Sequence, residues 1–254
     1  MTDPHLVVAV TDGRLAVTID RADKRNALSR AVLAELRETF EHHAADDGLR
    51  VATLTGAGDK SFAAGGDLRD LATVRTVKEA KIMADQAKAA LDAIGGFPVP
   101  VVAALNGDAL GGGAELAASC DFRVAASHAR IGFIQGRLNI ATAWGGGIDL
   151  ARIVGPTAAL RLLARSELLS GDEALALGLV DVAAGDGQSL DDCLEAFLAP
   201  IMGQAPQVLR AFKALNLGAR RGLPRDELMQ LETRLFADTW VHQDHWDAAD
   251  KLLQ

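Results

Sequence analysis

The feature that most constrains the fold is a run of three glycines between an apolar segment and a helix-like one. Residues 106–121 read NGDALGGGAELAASCD, and the apolar stretch 99–105 precedes them. The first amides of a helix have no partner inside the helix, and they carry the positive end of its dipole. The pattern therefore indicates either exposed N–H groups that bind an anion or a developing oxyanion, or a helix start packed tightly against a sheet.

Glu115 favours the first interpretation. It follows Gly112 by three residues, which on a helix places both on one face, about 5–6 Å apart between β-carbons. A carboxylate in the first turn is also stabilised by the helix dipole alone. A carboxylate beside an oxyanion site is, however, what proton transfer next to a polarised carbonyl requires.

A second glycine segment, FAAGGDL at residues 62–68, also follows a strand candidate and leads into a helix, with Asp67 as the expected N-cap. Two N–H groups from separate loops polarise a carbonyl more strongly than one does. We therefore expect Gly66 and Gly112 to form a pair of donors.

Other catalytic motifs fail on spacing. Residues 56–61, GAGDKS, lack the third glycine of a dinucleotide fingerprint and the spacing of a phosphate loop. The six histidines form no HExxH or other close metal pair, and no GxSxG elbow is present. The sequence predicts neither a metal site nor a bound cofactor.

The net charge, the apolar runs and the cysteines limit which kinds of protein this chain can be. The net charge of −8 argues against a nucleic-acid binder, because neutralising phosphates needs a basic face. No apolar run reaches the roughly 18 residues of a membrane span, and the N-terminus does not resemble a signal peptide. Two cysteines outside any CxxC pair indicate buried thiols in a reducing compartment. We expect a cytoplasmic protein without membrane contact.

The periodicity predicts alternating strands and helices with an all-helical end. Residues 6–10 and 15–19 read as a hairpin, Ser29 as the cap of a helix, and 51–55, 99–105, 121–125 and 130–134 as strands. A long helical stretch before residue 95 carries Ile82, Leu91 and Ile94 on one side. Ser170 and Glu173 fit a capping box, and helices are predicted over 190–202, 205–219 and 225–250. In the last, Leu228, Leu231, Leu235 and Phe236 form an apolar stripe that suits either a core or a subunit interface.

Five motifs together resemble the crotonase (enoyl-CoA hydratase/isomerase) superfamily. They are RADKRNALS (21–29), SFAAGGDL (61–68), NGDALGGGAELAASCDFRVA (106–125), WGGGIDLARIVG (144–155) and EALALGLVD (173–181). The resemblance implies an α/β fold with a spiral core of ββα turns. It implies an acyl-CoA-binding core over residues 1–190 and a helical region over 191–254 that builds a homotrimer or a dimer of trimers.

The resemblance also implies a substrate and its contacts. The substrate is an acyl thioester of coenzyme A, so coenzyme A is part of the substrate and no separate cofactor is expected. Gly66 and Gly112 match the amides that hold the thioester oxygen, and Glu115 matches one of two catalytic glutamates of the hydratases. Positions that border coenzyme A are matched by Arg25, Ala27, Ala64, Asp67 and Leu68.

The sequence departs from the hydratases at the second glutamate. Aligning ARIGFIQG on Gly132 puts Gln135 there, and an amide cannot act as an acid or base near neutral pH. Two-carboxylate hydration is therefore in question, and Gln135 reads as a polar residue of the pocket.

The WGG motif that begins at Trp144 resembles the corresponding motif of the branch that decarboxylates methyl- or ethylmalonyl-CoA. In that branch, the resemblance implies that Trp144 could form a wall of the acyl pocket. Arg137 could attract a malonyl carboxylate. A non-catalytic, RNA- or protein-binding member of the fold is the alternative from another class.

Overall fold

The structure, a computed structural model, describes residues 5–253. Within that range the chain forms ten β-strands: β1 (Leu6–Thr11), β2 (Arg14–Ile19), β3 (Val51–Gly56), β4 (Ser61–Ala63), β5 (Val101–Leu105), β6 (Asp108–Leu110), β7 (Phe122–Ala125), β8 (Arg130–Gly132), β9 (Leu169–Ser170) and β10 (Val182–Ala183). The same range contains eleven α-helices: α1 (Arg30–His43), α2 (Leu68–Leu71), α3 (Val77–Gly95), α4 (Gly112–Ser119), α5 (Gly146–Val154), α6 (Pro156–Arg165), α7 (Gly171–Ala176), α8 (Leu190–Met202), α9 (Pro206–Arg220), α10 (Arg225–Trp240) and α11 (Gln243–Leu253).

The strands form two sheets. The first has the order β1-β2-β3-β5-β7-β10, and the second has the order β4-β6-β8-β9. The hairpin β1–β2 is antiparallel, as predicted, and turns at Asp12 and Gly13, which both have positive φ. The other pairs of the first sheet are parallel, and in the second sheet β4, β6 and β8 run parallel.

The chain passes from one sheet to the other in each turn of the fold. Strand β3 lies in the first sheet and β4 in the second, followed by α2 and α3; β5, β6 and α4 repeat the order. Strands β7 and β8 begin the next turn. Each of these turns therefore consists of two strands followed by helical structure, and the predicted α/β fold with a ββα spiral is confirmed.

Helix starts follow the predicted capping residues. The Ser29 side chain accepts a hydrogen bond from the Val32 N–H at the start of α1. At the start of α7, Ser170 and Glu173 form the reciprocal capping box. These local signals were readable because each is completed within four residues.

Three details differ from the sequence-based expectations. Strand β8 ends at Gly132, because a 3₁₀ turn over Gln135–Leu138 follows it. The helix predicted over 225–250 is two helices, since the chain turns at Val241 and His242, and the His242 ring accepts the Asp244 N–H at the start of α11. Ile82 is exposed, because it lies about 120° around α3 from Ile94.

The C-terminal helices differ in what they bury. Helix α8 packs on the first sheet, where Cys193, Leu194 and Leu198 join Val102 and Val124 in one cluster. Helices α10 and α11 contain no fully buried residue within the described range. On the predicted apolar stripe of α10, Leu228, Leu231 and Leu235 are half-buried, and the first two lie beside Gly218 of α9. Phe236 is exposed. No helix in residues 5–253 is sufficiently long and apolar to span a membrane. Both cysteines are free and buried, and burial raises the pKa of Cys120 to about 12.

Candidate active site

Three parallel strands of the second sheet end at one edge, and each is followed by a candidate residue. Gly66 follows β4, Gly112 and Glu115 follow β6, and Gln135 follows β8. The register pairs Ala63 with Ala109 and Leu110 with Gly132. Because the carboxyl ends of parallel strands meet at the same edge, pairing alone brings together segments up to 70 residues apart, roughly the separation of Gly66 from Gln135.

The N–H of Gly66 points toward this edge. Leu28 forms a parallel bridge with Gly66, in which the Leu28 N–H donates to Gly65 O at 2.8 Å and the Asp67 N–H donates to Leu28 O at 2.9 Å. In an extended segment, successive N–H groups point to opposite sides. The Gly66 N–H therefore faces away from Leu28 and toward the glycine segment of β6.

The glycine segments of the two strands are in contact. A β-carbon added to Gly65 would lie 3.0 Å from Leu110 O and 3.6 Å from the amide nitrogen of Gly112. Gly112 is the first residue of α4, and the first intrahelical hydrogen bond runs from the Glu115 N–H to Gly111 O at 3.0 Å. The Gly112 N–H thus belongs to the free amides of a helix start, beside Gly65 and Gly66.

The indole of Trp144 covers both glycines. A β-carbon on Gly112 would lie 2.3 Å from Cζ3 of Trp144, and one on Gly66 would lie 3.4 Å from Cη2. Trp144 is itself buried. The ring therefore packs directly on bare main chain and closes one side of the space above the two N–H groups.

Glu115 is the buried carboxylate of this edge, with a residual exposure of 2%. Its Oε1 accepts from Gln135 Nε2 at 2.8 Å, and its Oε2 accepts from the N–H groups of Trp144 at 2.9 Å and Gly146 at 3.0 Å. Burial raises the pKa of Glu115 above its ordinary value, while the hydrogen bonds from Trp144, Gly146 and Gln135 act in the opposite direction. A carboxyl group with a raised pKa, held by directed donors, suits reversible proton transfer.

The two main-chain donors, Trp144 and Gly146, reach Glu115 because α5, which begins at Gly146, packs closely on α4. A β-carbon on Gly146 would lie 2.4 Å from Cβ of Glu115, so only glycine allows the approach. Gly146 is the first residue of α5, and its N–H is one that the helix leaves free. The WGG motif therefore fixes the carboxylate as well as providing the indole.

A cavity of about 250 Å³ opens over this edge, and its walls are mainly apolar. Seven of the ten predicted site residues line it: Ala64, Gly66, Leu68, Gly112, Glu115, Gln135 and Trp144. The structure thus brings together the residues predicted to act on the acyl group.

The other three predicted residues, Arg25, Ala27 and Asp67, do not line the cavity. Arg25 is exposed, and its carbonyl accepts the Ala64 N–H at 3.1 Å, which puts its loop beside the cavity. Asp67 caps α2 and accepts from Arg21 Nη2 at 2.9 Å, so its carboxylate is occupied within the protein. The Arg21 side chain also donates to Ala27 O.

Sequence reasoning missed several apolar wall residues, among them Leu71, Met83, Leu138 and Ile140. One signal was available for Met83. It precedes the buried Ala87 by four residues, so it extends the buried face of α3 one turn beyond the core. Leu138 and Ile140 lie around an irregular turn, where periodicity carries no information.

Other kinds of site find little support in the described part of the chain. Among residues 5–253, no group of three or more His, Cys, Asp or Glu side chains is arranged to hold a metal ion. The polar side chains that line the cavity are those of Glu115, Gln135 and Arg137.

Comparison with known proteins agrees with this arrangement. Residues 11–250 match the family model for enoyl-CoA hydratase/isomerase. A probable enoyl-CoA hydratase of Bacillus subtilis is 31% identical over 250 residues, covering 98% of this chain and 96% of that protein. A short-chain-enoyl-CoA hydratase of Clostridium acetobutylicum is 32% identical over 252 residues, covering 98% and 94%. The crystal structure of an enoyl-CoA hydratase from Bacillus anthracis superposes with a TM-score of 0.91 at 28% identity, covering 98% of this chain and 96% of that one.

An α/β spiral with glycine amides and a buried carboxylate at one sheet edge defines the class of fold and site. The chain belongs to the enoyl-CoA hydratase/isomerase family, which confirms the resemblance to the crotonase superfamily. It is accordingly an acyl-CoA enzyme of that family.

Proposed function

We propose that this enzyme moves a proton at the α-carbon of an acyl-CoA thioester through an enolate. The N–H groups of Gly66 and Gly112 hold the thioester oxygen, and Glu115 takes and returns the proton. The observation that carries the proposal is the buried carboxylate of Glu115, which lines one apolar cavity together with Gly66 and Gly112. Donors aimed at an oxygen that becomes negative stabilise the transition state more than the ground state.

The composition of the site favours isomerisation over hydration. Water addition by the two-glutamate route needs a second group that transfers a proton, and Gln135 cannot supply one. A shift of the double bond needs only one proton-transferring group. Glu115 removes a proton from C2 of a 3-enoyl thioester, and the electrons delocalise into a dienolate. Glu115 then returns the proton to C4. The product is a 2-enoyl thioester, and atoms and charge balance without a co-reactant.

The names of the relatives bear on the choice without deciding it. The proteins of Bacillus subtilis and Clostridium acetobutylicum are named as hydratases, and a relative in Mycosarcoma maydis, 32% identical over 249 residues, is named enoyl-CoA isomerase/hydratase. The proposal therefore makes hydration the principal competitor within the family.

A panel of thioesters with mass spectrometry of products tests the proposal. We expect conversion of 3-hexenoyl-CoA to 2-hexenoyl-CoA to exceed water addition to crotonyl-CoA, and both to be lost in Glu115→Gln. Hydration that outpaces isomerisation would contradict the choice of reaction. Activity that survives in Glu115→Gln would remove the carboxylate from the mechanism.

A second candidate reaction is decarboxylation of methyl- or ethylmalonyl-CoA. Arg137 lines the same cavity, so a cation is available near an acyl carboxylate. The bond to the carboxylate would break, carbon dioxide would leave, and protonated Glu115 would deliver its proton to the enolate carbon. Release of carbon dioxide from ethylmalonyl-CoA, lost in Arg137→Gln, would favour this reaction over isomerisation.

The proposed binding of coenzyme A uses the loop of Arg25 and Ala27 together with Ala64, Asp67 and Leu68. The hydrogen bond from Ala64 to the Arg25 carbonyl supports it, since it holds that loop against the cavity rim. No separate cofactor is proposed. The alternative of an RNA-binding protein is disfavoured by the net charge of −8.

Association of several copies is also part of the proposal. Phe236, Trp240 and Val241 are exposed at the end of α10 and just beyond it, and Leu252 and Leu253 are exposed on α11. Apolar surface of this kind marks an interface in many oligomers. We expect a mass of three or six chains by light scattering, and a monomer would contradict it.

A further inference from the structure

The carboxylate of Glu115 has two oxygens with different kinds of partner. Oε2 accepts from two main-chain N–H groups, those of Trp144 and Gly146. Oε1 accepts from one side chain, through Gln135 Nε2 at 2.8 Å. Gly146 is the first residue of α5 and Trp144 lies just before it. Their main-chain N–H groups cannot exchange a hydrogen for a lone pair, whereas a side-chain amide carries both a donor and an acceptor.

This difference fixes where a proton can be added. A hydrogen on Oε2 would face two N–H donors that cannot move. Oε1 accepts its hydrogen bond from the NH₂ of Gln135, and that group can be turned away. The proton that Glu115 takes up therefore has to go on Oε1.

Gln135 carries an acceptor that nothing uses while the carboxylate is ionised. Among the described residues, its Oε1 is a buried side-chain oxygen without a hydrogen-bond partner. Gln135 is 8% exposed, so bulk water does not replace that partner. An unpaired buried acceptor costs about 1–3 kcal/mol. Rotating the amide by half a turn would exchange the two groups and present Oε1 to Glu115.

We propose that the Gln135 side-chain amide rotates by half a turn when Glu115 is protonated. In the ionised state Nε2 donates to Oε1 of Glu115, and in the protonated state the new O–H donates to Oε1 of Gln135. Gln135 is thus a positioning residue, which pairs with either state of one carboxyl group. This inference rests on the proposed role of Glu115 as acid and base.

Other charged groups lie farther from this pair. Arg137 lines the cavity and donates to Ser166 O at 2.8 Å. Asp149 on α5 is within ion-pair distance of Arg152 and Arg220. Neither interaction uses the Glu115 carboxylate, so the amide is the side chain that responds directly to its proton.

The pH dependence of kcat/KM in Gln135→Met tests the positioning role. Methionine keeps the length of the side chain but neither donates as an amide does nor accepts well. Losing a donor to a carboxylate destabilises the ionised form, so the pKa of Glu115 rises. The protonated form also loses its hydrogen bond to Gln135, but that bond is neutral and weaker, so only the difference shifts the pKa. We therefore expect the acid limb to move about one unit higher in pH.

Leu138→Met is the matched control, because Leu138 lines the cavity without bonding to Glu115. It is expected to change KM while leaving the acid limb in place. An unmoved acid limb in Gln135→Met, with proton transfer by Glu115 intact, would overturn the inference and leave the proposed function standing. A fall in turnover of about 10²- to 10⁴-fold in Glu115→Gln, together with a shifted acid limb in Gln135→Met, supports both the proposed function and the inference.

A neutron crystal structure of Glu115→Gln tests the rotation directly and does not require activity. The new amide has to offer its oxygen to the N–H groups of Trp144 and Gly146, so its NH₂ faces Gln135. We expect Gln135 to have turned, with Oε1 toward residue 115, whereas in the wild type at a pH above the Glu115 pKa Nε2 faces it. The same orientation in both proteins would overturn the inference.

Discussion

The indole of Trp144 lies against the α-carbon of Gly112, so closely that a β-carbon there would meet Cζ3 at 2.3 Å. We expect Gly112→Ala to displace the ring or the start of α4. Overpacking of this kind costs about 1–3 kcal/mol of unfolding free energy. Misplacing one oxyanion donor costs about 100-fold or more in turnover.

Trp144→Leu provides the control for Gly112→Ala. If the clash with the ring is the cause, Trp144→Leu should affect the unfolding free energy more favourably in the Gly112→Ala background than in the wild type. Chemical denaturation of the four proteins measures this coupling. Strictly additive effects would show that the alanine acts through something other than the indole.

Glu115→Gln separates chemistry from binding. The variant keeps the shape of the side chain but cannot exchange a proton, so we expect turnover to fall by about 10²- to 10⁴-fold. Affinity for butyryl-CoA by calorimetry should change little, because the cavity walls are intact. Because burial raises the pKa of Glu115, the acid limb of wild-type kcat/KM should lie above the ordinary glutamate value of about 4.3.

Gln135→Glu introduces a second carboxyl group. Its oxygen in place of Nε2 would lie about 2.8 Å from Oε1 of Glu115, so the two groups would share one proton near neutral pH. That proton supplies the second transfer that hydration lacks. We expect water addition to crotonyl-CoA to increase relative to isomerisation, measured by product ratio; an unchanged ratio would show that residue 135 does not select the reaction.

The Arg21–Asp67 pair connects the loop of Arg25 to the cavity rim. The two side chains are 2.9 Å apart and only 8% and 13% exposed. Removing one partner of a buried pair costs about 3–5 kcal/mol, so Arg21→Ala should be strongly destabilised in urea. Arg30→Ala, which breaks a more exposed pair with Asp70, should be destabilised far less, because solvent screens the charges of that pair.

The same pair predicts a pH dependence of stability. Burial acts to raise the pKa of Asp67, but hydrogen bonds from Arg21 and the main chain outweigh it and leave the pKa below its ordinary value. The ionised Asp67 therefore contributes fully to folding stability above its unfolded-state pKa of about 3.9. That contribution is lost as the pH falls through its lower folded-state pKa. In Asp67→Asn, the unfolding free energy should depend less steeply on pH at acid pH than in the wild type. An unaltered slope would contradict a stabilising role for the Asp67 carboxylate.

Much of the fold was predictable because its signals are local. Ser29 and the box of Ser170 and Glu173 complete their hydrogen bonds within one turn. The break after Trp240 was not predictable, since apolar spacing continues through it and the His242 side chain decides where α11 begins.

The candidate site was predictable in its residues but not in its connections. The glycines and Glu115 stand out because bare main chain beside a carboxylate has few other uses. The bonds from Trp144 and Gly146 to Glu115 come from main-chain N–H groups about 30 residues away, which no side-chain pattern reveals. Likewise, the buried pair of Arg21 and Asp67 joins residues 46 positions apart, and no local pattern in the sequence indicates it.

The central claim is that Gly66, Gly112 and Glu115 generate an enolate from a thioester. Exchange of the α-protons of butyryl-CoA in D₂O isolates that step, because this saturated substrate can go no further. We predict deuterium at C2 with the wild type, and an exchange rate lower by about 10²- to 10⁴-fold with Glu115→Gln. Bound butyryl-CoA that gains no deuterium with the wild type, or gains it equally with the variant, would contradict the claim.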